Sequence, residues 1–263
     1  IYGAAKMERA VVRVGVADVG QGTHLILRQI AAETLSLPME KVTIISDDSS
    51  ETPNTGSVSA SRMTYMGGRA VLDAAAAAKK QWDFSDDEHV EATVQFRPTP
   101  TTPLDPETHS ARPNYCYGYS AQAIEVEVNM LTGQVQVLRI ISAHDVGKAI
   151  NIQQVTGQIE GCLAQALGYA LLENFQIRDG HVLTPHFNTY LLPTILDMPT
   201  DITPVVLELA DPDGPFGARG MAEMPLVPFA PAVAIAIHDA TGVWLKQQPM
   251  TPERVLNAFM EKG

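Results

Sequence analysis

Between residues 11 and 45 the spacing of apolar residues changes period twice, and this restricts the fold more than any other feature. Val11, Val12, Val14 and Val16 crowd β-branched side chains into a short run, as an extended strand prefers. Asp18-Val19-Gly20-Gln21-Gly22 interrupts it. Over residues 23–35, Leu27, Ile30, Ala31 and Leu35 recur at helical spacing, and Pro38 ends the helix. Residues 42–45 are a second strand. A strand, a glycine turn, a helix and a strand in immediate succession place the chain in a mixed class.

The same alternation continues. A turn-rich stretch, 47–61, leads into an alanine-rich helix expected over about 65–82. Residues 83–115 carry Pro98, Pro100, Pro103, Pro106 and Pro113, which forbid a long element there. That stretch is expected to be a connector between a first α/β subdomain, 1–82, and a second, 116–263; a loop at a binding surface is the alternative. The second part opens with a hairpin. Residues 123–128 alternate strictly, Leu131-Thr132-Gly133-Gln134 turns, and 135–140 return. Glu125 and Glu127 fall on its solvated face. A helix is expected over 152–172, with Gly157, Gly161, Ala164 and Gly168 on or near one side where another backbone can approach. A strand at 205–209 and helices at 230–241 and 251–261 complete an α+β chain.

Composition bounds the function. With 263 residues, 45% hydrophobic, the chain can bury a real core as one large domain or two smaller ones. A net charge of −12 argues against wrapping nucleic acid or lying on an anionic membrane. It allows one bound phosphate, because backbone N–H groups hold an anion without net positive charge. Cys116 and Cys162 have neither zinc-site spacing nor the number for a disulfide framework, so reduced thiols in a cytoplasmic protein are expected. The most apolar run, 226–237, contains Pro228 and Pro231 and is too short to span a membrane. Ile1-Tyr2-Gly3-Ala4-Ala5-Lys6 has no signal-peptide core and no initiator Met, so a piece of a longer chain is expected. The seven histidines are scattered, and no protein-ligated metal is expected.

Four stretches could carry chemistry. Gly20, Gln21 and Gly22 join a strand to a helix, where the backbone bends close to a ligand and helix N–H groups face an anion; an ordinary tight turn is the alternative. Thr55, Gly56, Ser57, Ser59, Ala60 and Ser61 put small hydroxyl residues at a density suited to an oxygen-rich ligand, or to a plain solvated loop. Gln154, Gln158 and Gln165 fall near one stripe of the helix beginning near 152, and a buried amide there must find a partner in backbone or cofactor. Glu223 lies in Gly217-Ala218-Arg219-Gly220-Met221-Ala222-Glu223-Met224-Pro225-Leu226, among small and apolar neighbours. An ionised carboxylate is costly to bury alone. Taken locally it is better explained as a helix cap than as a group kept for proton transfer.

In order, these stretches resemble the molybdenum-cofactor-binding subunit of the xanthine dehydrogenase and aldehyde oxidase family, in its C-terminal half. The resemblance rests on Gly20-Gln21-Gly22-Thr23-His24; on Pro53-Asn54-Thr55-Gly56-Ser57 with Ser59-Ala60-Ser61; and on Glu125-Val126-Glu127-Val128 with Thr132-Gly133. It also rests on His144-Asp145-Val146-Gly147 leading to Gly157-Gln158-Ile159-Glu160-Gly161, and on 217–226. It implies two strand–helix subdomains that bind a molybdenum-bearing molybdopterin, plain or as its cytosine dinucleotide. It further implies Glu223 as catalytic base, Gln21 and Gln158 as pterin contacts and 56–61 as the loop binding the pterin or its phosphate. The implied reaction hydroxylates an electron-poor carbon of an N-heterocycle or aldehyde with oxygen from water. Implied partners are the N-terminal half of the subunit, iron–sulfur clusters and FAD on partner chains, a small-molecule substrate and an oligomer. Glu223 then needs a dry setting that lifts its pKa. Ala222 stands where the family often has Gly, and Met224 where it often has Pro. On this reading the chain is an enzyme only within a larger assembly; a non-catalytic pterin- or nucleotide-binding module is the alternative. A hydrolase pairing Glu223 with His144 lacks a nucleophile.

Overall fold

The structure is a computed structural model that describes residues 1–262. The chain divides into two compact units. Unit 1 comprises Ile1–Gly118, Asp145–Val155 and Glu208–Met221; unit 2 comprises Tyr119–His144, Thr156–Leu207 and the chain from Ala222 onward. Composition points to one cut, at 83–115, but the contacts divide otherwise. Residues 83–115 belong with unit 1, and two later segments return to it. Prolines mark where elements cannot extend, not where packing separates.

Unit 1 contains β1 (Tyr2–Gly3), β2 (Met7–Arg13), α1 (Thr23–Leu35), β3 (Val42–Ile45) and α2 (Gly68–Asp83). β1 runs antiparallel to β2, and β2 pairs parallel with β3 from Ala10↔Val42 to Arg13↔Ile45. Parallel neighbours need a crossover, and α1 supplies it. Its buried residues Thr23, Ile26, Leu27, Ile30, Ala31 and Leu35 follow the i, i+3, i+4 rhythm of a helix lying on a sheet. Leu27, Ile30 and Val42 are fully enclosed at the centre of this core. Ser36 ends α1 in a left-handed turn at φ 56°, its N–H turned back to the carbonyls of Ala32 and Glu33.

Unit 2 is built from β4 (Tyr119–Val128), β5 (Val135–Asp145), α3 (Ile152–Leu167), β6 (Ile177–Arg178), β7 (His181–Val182), β8 (Asp201–Leu207), α4 (Phe229–Thr241) and α5 (Pro252–Lys262). The last residue of β5 and the first turn of α3 count with unit 1. One sheet has the order β4-β5-β8, and β6 and β7 form a separate antiparallel ribbon. Along β4, Glu125 and Glu127 are exposed while Gln122, Ile124, Val126 and Val128 are half-buried, and α4 packs against β4. α4 buries Phe229, Ala230, Val233 and Ile237. α3 buries Ile159, Cys162, Leu163, Ala166 and Leu167.

Three expectations shift. The strand expected at 205–209 runs Asp201–Leu207, because the chain turns away at Glu208, whose carboxylate takes Lys148 Nζ at 3.1 Å and the Ala149 N–H at 2.9 Å. The long helices expected at 65–82 and 152–172 each include a widened π turn, at Met63–Gly67 and Gly168–Leu172. Of the four small residues expected to admit another backbone, Gly157 and Gly161 have open space where a Cβ would stand, while Gly168 is packed tightly against Glu173 and Pro193. The stretch Met224–Thr241 has the length and apolar composition of a membrane span. In the fold it is a 3₁₀ turn followed by the 13-residue α4. At 1.5 Å per residue that helix is about 20 Å long, short of a hydrocarbon core of about 30 Å.

Candidate functional site

In unit 1 the glycine loop ahead of α1 is organised by Asp18. One carboxylate oxygen accepts the N–H groups of Gly20 at 2.9 Å and Gly22 at 3.2 Å, and the other accepts that of His24 at 3.0 Å. Burial alone would raise this carboxyl. The N–H groups of His24, Gly20 and Gly22 together outweigh it and hold the pKa below the ordinary carboxylate value. The helix mouth expected to face an external anion is therefore occupied by the chain's own carboxylate. Gln21, expected to contact a ligand, is likewise turned inward. Its Oε1 accepts the Val19 N–H at 2.7 Å, and its Nε2 donates to Ala17 O at 3.1 Å and Thr23 Oγ1 at 3.0 Å. Gly20 and Gly22 have φ of 113° and 81°, a region open to glycine. A Cβ on Gly22 would run into the side-chain amide of Gln154, while one on Gly20 would meet nothing. The Gln154 Oε1 beside Gly22 is buried and has no hydrogen-bond partner.

The hydroxyl loop is exposed from Gly56 to Ala60. Its root is fixed. Thr55 Oγ1 donates to Gly15 O, and Arg62 Nη1 donates to Thr55 O at 3.0 Å and Ser57 O at 2.8 Å. Asn54 Oδ1 accepts the Gly56 N–H, and the Ser57 and Ser59 hydroxyls lie 3.0 Å apart. Ala60 and Ser61 both adopt left-handed backbone, at φ 53° and 54°. Such a conformation costs a residue with a Cβ roughly 1–2 kcal/mol and tends to be kept at ligand-holding loops.

The segment 217–226 divides between the units after Met221. Its unit 1 part is clamped. Gly217 O accepts the Lys148 N–H at 2.7 Å and the Asp211 N–H at 2.9 Å, and the Arg219 N–H reaches Val146 O at 2.8 Å. The Arg219 guanidinium bridges two largely buried carboxylates, Asp145 and Asp211. A Cβ on Gly220 would fall on the Ser61 carbonyl, so glycine there brings the hydroxyl loop and this segment into contact. Tyr65 OH and Cys116 Sγ both lie against Asp211. Burial, then the Asp211 carboxylate, pushes the Cys116 thiol up to about 11.

In unit 2, Glu223 stands at the head of the 3₁₀ turn Met224–Leu226 with φ −104° and ψ −7°, and its side chain makes no cap bond to that turn. The helix-cap explanation is thus not realised. Two amides hold the turn on either side of it. Gln158 Nε2 donates to Ala222 O at 3.2 Å, and Gln122 Nε2 donates to Pro225 O at 2.7 Å. So Gln158, expected to touch a ligand, is brought beside Glu223, with its amide nitrogen taken by backbone. Glu223 is exposed, not dry as its apolar flanks suggested. Behind Gln122 a polar chain runs inward. Its Nε2 also donates to Ser142 Oγ at 2.9 Å, and Ser142 Oγ lies 2.6 Å from Nε2 of the fully buried His144. Burial lowers the His144 pKa, and its Nδ1 and the Gln122 Oε1 have no partner.

Sequence reasoning missed Asp18, Gln122, Ser142 and the Asp145–Arg219–Asp211 clamp. Only the Asp-x-Gly spacing ahead of α1 hinted at any of them. Among the described residues no group of three or more His, Cys, Asp or Glu side chains could hold a metal ion.

Residues 6–92 and 81–199 match the model of the molybdopterin cofactor-binding domain. A probable xanthine dehydrogenase component from Bacillus subtilis is 31% identical over 95% of this chain and 37% of its own length. The probable hypoxanthine oxidase of Escherichia coli K12 is 30% identical over 95% of this chain and 29% of its own. The solved aldehyde oxidoreductase of Desulfovibrio gigas superposes with a TM-score of 0.86 at 29% identity, over 95% of this chain and 29% of that one. Quinoline 2-oxidoreductase of Pseudomonas putida 86 gives 0.83 at 26% identity, over 95% and 36%. The chain therefore spans roughly a third of the length of the relatives it matches. From the family-model match and these folds together, the chain belongs to the molybdopterin cofactor-binding domain family.

Proposed function

We infer that this chain is the base-bearing, cofactor-binding part of a molybdenum hydroxylase and works with the remainder of a longer subunit. The observation that carries this is the seat of Glu223: an exposed carboxylate at the head of a turn held on both sides by glutamine amides, and not used as that turn's cap. The residues present fit a pterin in part. The exposed loop from Gly56 to Ala60, rooted at Thr55 and Ser61, offers the Ser57 and Ser59 hydroxyls and backbone to a phosphate, and the orphaned Gln154 Oε1 beside Gly22 is an acceptor awaiting an N–H donor. Gln21 and Asp18 shape the glycine loop around Gly20 and do not face outward. Gln158 combines a place beside Glu223 with a hold on its backbone.

When bound, the molybdenum cofactor supplies the two-electron acceptor and activates the water that provides the oxygen. Glu223 Oε would accept a proton from the water that provides the oxygen. A C–H bond becomes C–OH, releasing two electrons and two protons. Gln158 and Gln122 keep the Ala222 and Pro225 carbonyls fixed, so the carboxylate does not swing away. The substrate belongs with N-heterocycles or aldehydes. Iron–sulfur and flavin groups on partner chains would take those two electrons onward.

The test is Glu223→Gln in the chain assembled with the rest of its subunit, with molybdenum and pterin nucleotide measured in parallel. Loss of a general base lowers turnover by ~10² to 10⁴, or about 3–5 kcal/mol of barrier, with bound cofactor unchanged. Undiminished turnover at full cofactor occupancy would remove Glu223 from the reaction. Bound cofactor with no turnover in either form would leave a binding module.

A further inference from the structure

Three polar side chains stand in line inside unit 2, where a strand face needs only apolar ones. Ile140, Ser142 and His144 are buried at alternate positions of β5, and the half-buried Gln122 of β4 bonds to Ser142. Apolar residues of matching shape would fill the same space without the desolvation cost of a hydroxyl and an imidazole. The line leads to the turn that carries Glu223: Gln122 Nε2 donates to Pro225 O.

The bonds along the line leave one assignment of protons. The Gln122 amide nitrogen lies 2.7 Å from Pro225 O and 2.9 Å from Ser142 Oγ, and its two hydrogens serve both. With the amide turned over, Oε1 would face the Pro225 carbonyl, acceptor against acceptor. Ser142 Oγ thus receives one hydrogen from Gln122 and has one of its own to give. The other polar neighbour in the line is His144 Nε2, at 2.6 Å. It must accept, so the imidazole is neutral with its proton on Nδ1. Burial favours the same neutral form. A proton on Nε2 would set two donors on Ser142 and leave the hydroxyl hydrogen without an acceptor in the line. His144 Nδ1 and Gln122 Oε1 stay unpaired, a cost the fold carries to keep this arrangement.

We propose that Ser142 and His144 are positioning residues for Glu223: imidazole and hydroxyl orient the Gln122 amide as a donor to Pro225 O, and through it hold the turn that carries the carboxylate. This rests on the reading of Glu223 as the base. No proton travels along the line. His144 Nε2 takes the Ser142 hydrogen, which leaves the Ser142 lone pairs to Gln122 and commits both amide hydrogens. Gln158 of α3 holds the other end of the turn at Ala222 O, so the two anchors bracket Glu223. Loss of the β4–β5 anchor lets the carboxylate drift from its seat, which lowers rate and not substrate affinity.

The test has a kinetic and a spectroscopic arm. In the chain assembled with the rest of its subunit, Ser142→Ala and His144→Leu are expected to lower kcat about ten- to a hundredfold, with KM and bound molybdenum unchanged. His144→Gln, whose amide oxygen can stand in for Nε2, should recover most of the loss. In a Glu223→Gln background neither substitution should lower turnover further. Ile140→Val on the same strand reads stability alone: Tm falls and kcat stays. Nitrogen-15 NMR of the cofactor-free chain should find His144 with a protonated Nδ1 and a bare Nε2 at pH 7, and the Nε2 signal should move in Ser142→Ala. A proton on Nε2, losses that add in full to that of Glu223→Gln, or undiminished kcat in Ser142→Ala overturns the proposal. If Glu223→Gln alone turns over normally, the base reading falls and the positioning role with it. A normal Ser142→Ala beside a crippled Glu223→Gln removes the positioning role alone.

Discussion

Asp18 binds three N–H groups that a glycine loop and a helix start would otherwise leave to solvent or a ligand, and this gives it a defined effect on stability. Replacing an acceptor that satisfies helix-start N–H groups costs about 1–2 kcal/mol. Asp18→Ala is expected to lose that amount at pH 7, measured as a shift in urea midpoint. The pH dependence has a fixed sign. The folded pKa lies below the ordinary value of 3.8, so the bonds contribute fully above that value. They are lost as pH falls through the folded pKa, and the gap between wild type and Asp18→Ala closes in acid. A gap unchanged between pH 7 and pH 2 would show that the carboxylate is not the stabilising group. The same residue explains why Gln21 turns inward. The Gly-Gln-Gly sequence is compatible with a ligand-facing amide and with a self-braced loop. The choice is made by Asp18 and Thr23, whose roles depend on the loop's dihedrals and not on the composition of the motif. Glu223 is the opposite case. Its residue type and neighbours were legible, but its exposure was not, because apolar neighbours in sequence do not become apolar neighbours in space when a 3₁₀ turn intervenes.

At the scale of elements, α1, β3 and the β4–β5 hairpin agree with their sequence periods closely, since each is decided by local spacing and a nearby Gly or Pro. The π turns were not legible, because a widened turn preserves helical composition while moving its neighbours by a fraction of a turn. Gly168, the first residue of the second one, is tightly packed. A Cβ there would overlap Glu173 Oε1 and stand 2.8 Å from Pro193 Cδ. The glutamate tip can swing aside, but the proline ring cannot. Gly168→Ala is therefore expected to cost about 1–3 kcal/mol, the usual penalty for overpacking a dense site. Gly161→Ala on the preceding helix, whose Cβ meets open space, should be neutral or slightly stabilising, because Ala is the better helix former. Thermal melts of the two variants decide this. Equal Tm values would mean that Gly168 was retained for reasons other than packing.

Over the whole molecule the chain passes between its two units five times, after Gly118, His144, Val155, Leu207 and Met221. Composition could not reveal this, since the returning segments 145–155 and 208–221 have no unusual makeup; what assigns them is where their polar groups bond. Gln154 packs on Gly22, Asp211 receives the Tyr65 hydroxyl, and Gly220 fits against Ser61. These are long-range contacts within unit 1, made by residues far downstream of the proline-rich stretch. A division at 83–115 would make residues 1–82 a self-sufficient subdomain, with α1 packed on β2, β3 and α2. Produced alone, however, that piece loses the 88–90 edge that pairs with Ile1 and Gly3, the Asp211 partner of Tyr65 and the Gln154 wedge at Gly22. Leaving a partly buried donor such as the Tyr65 hydroxyl unpaired costs about 1–3 kcal/mol by itself. A domain's net stability is only about 5–15 kcal/mol, so several such losses together consume it. Residues 1–82 are accordingly expected to show helical far-ultraviolet dichroism without a cooperative melt, whereas the full chain melts cooperatively. A sharp two-state melt of the 1–82 piece near the full-length Tm would mean that the returning segments decorate unit 1 and do not complete it.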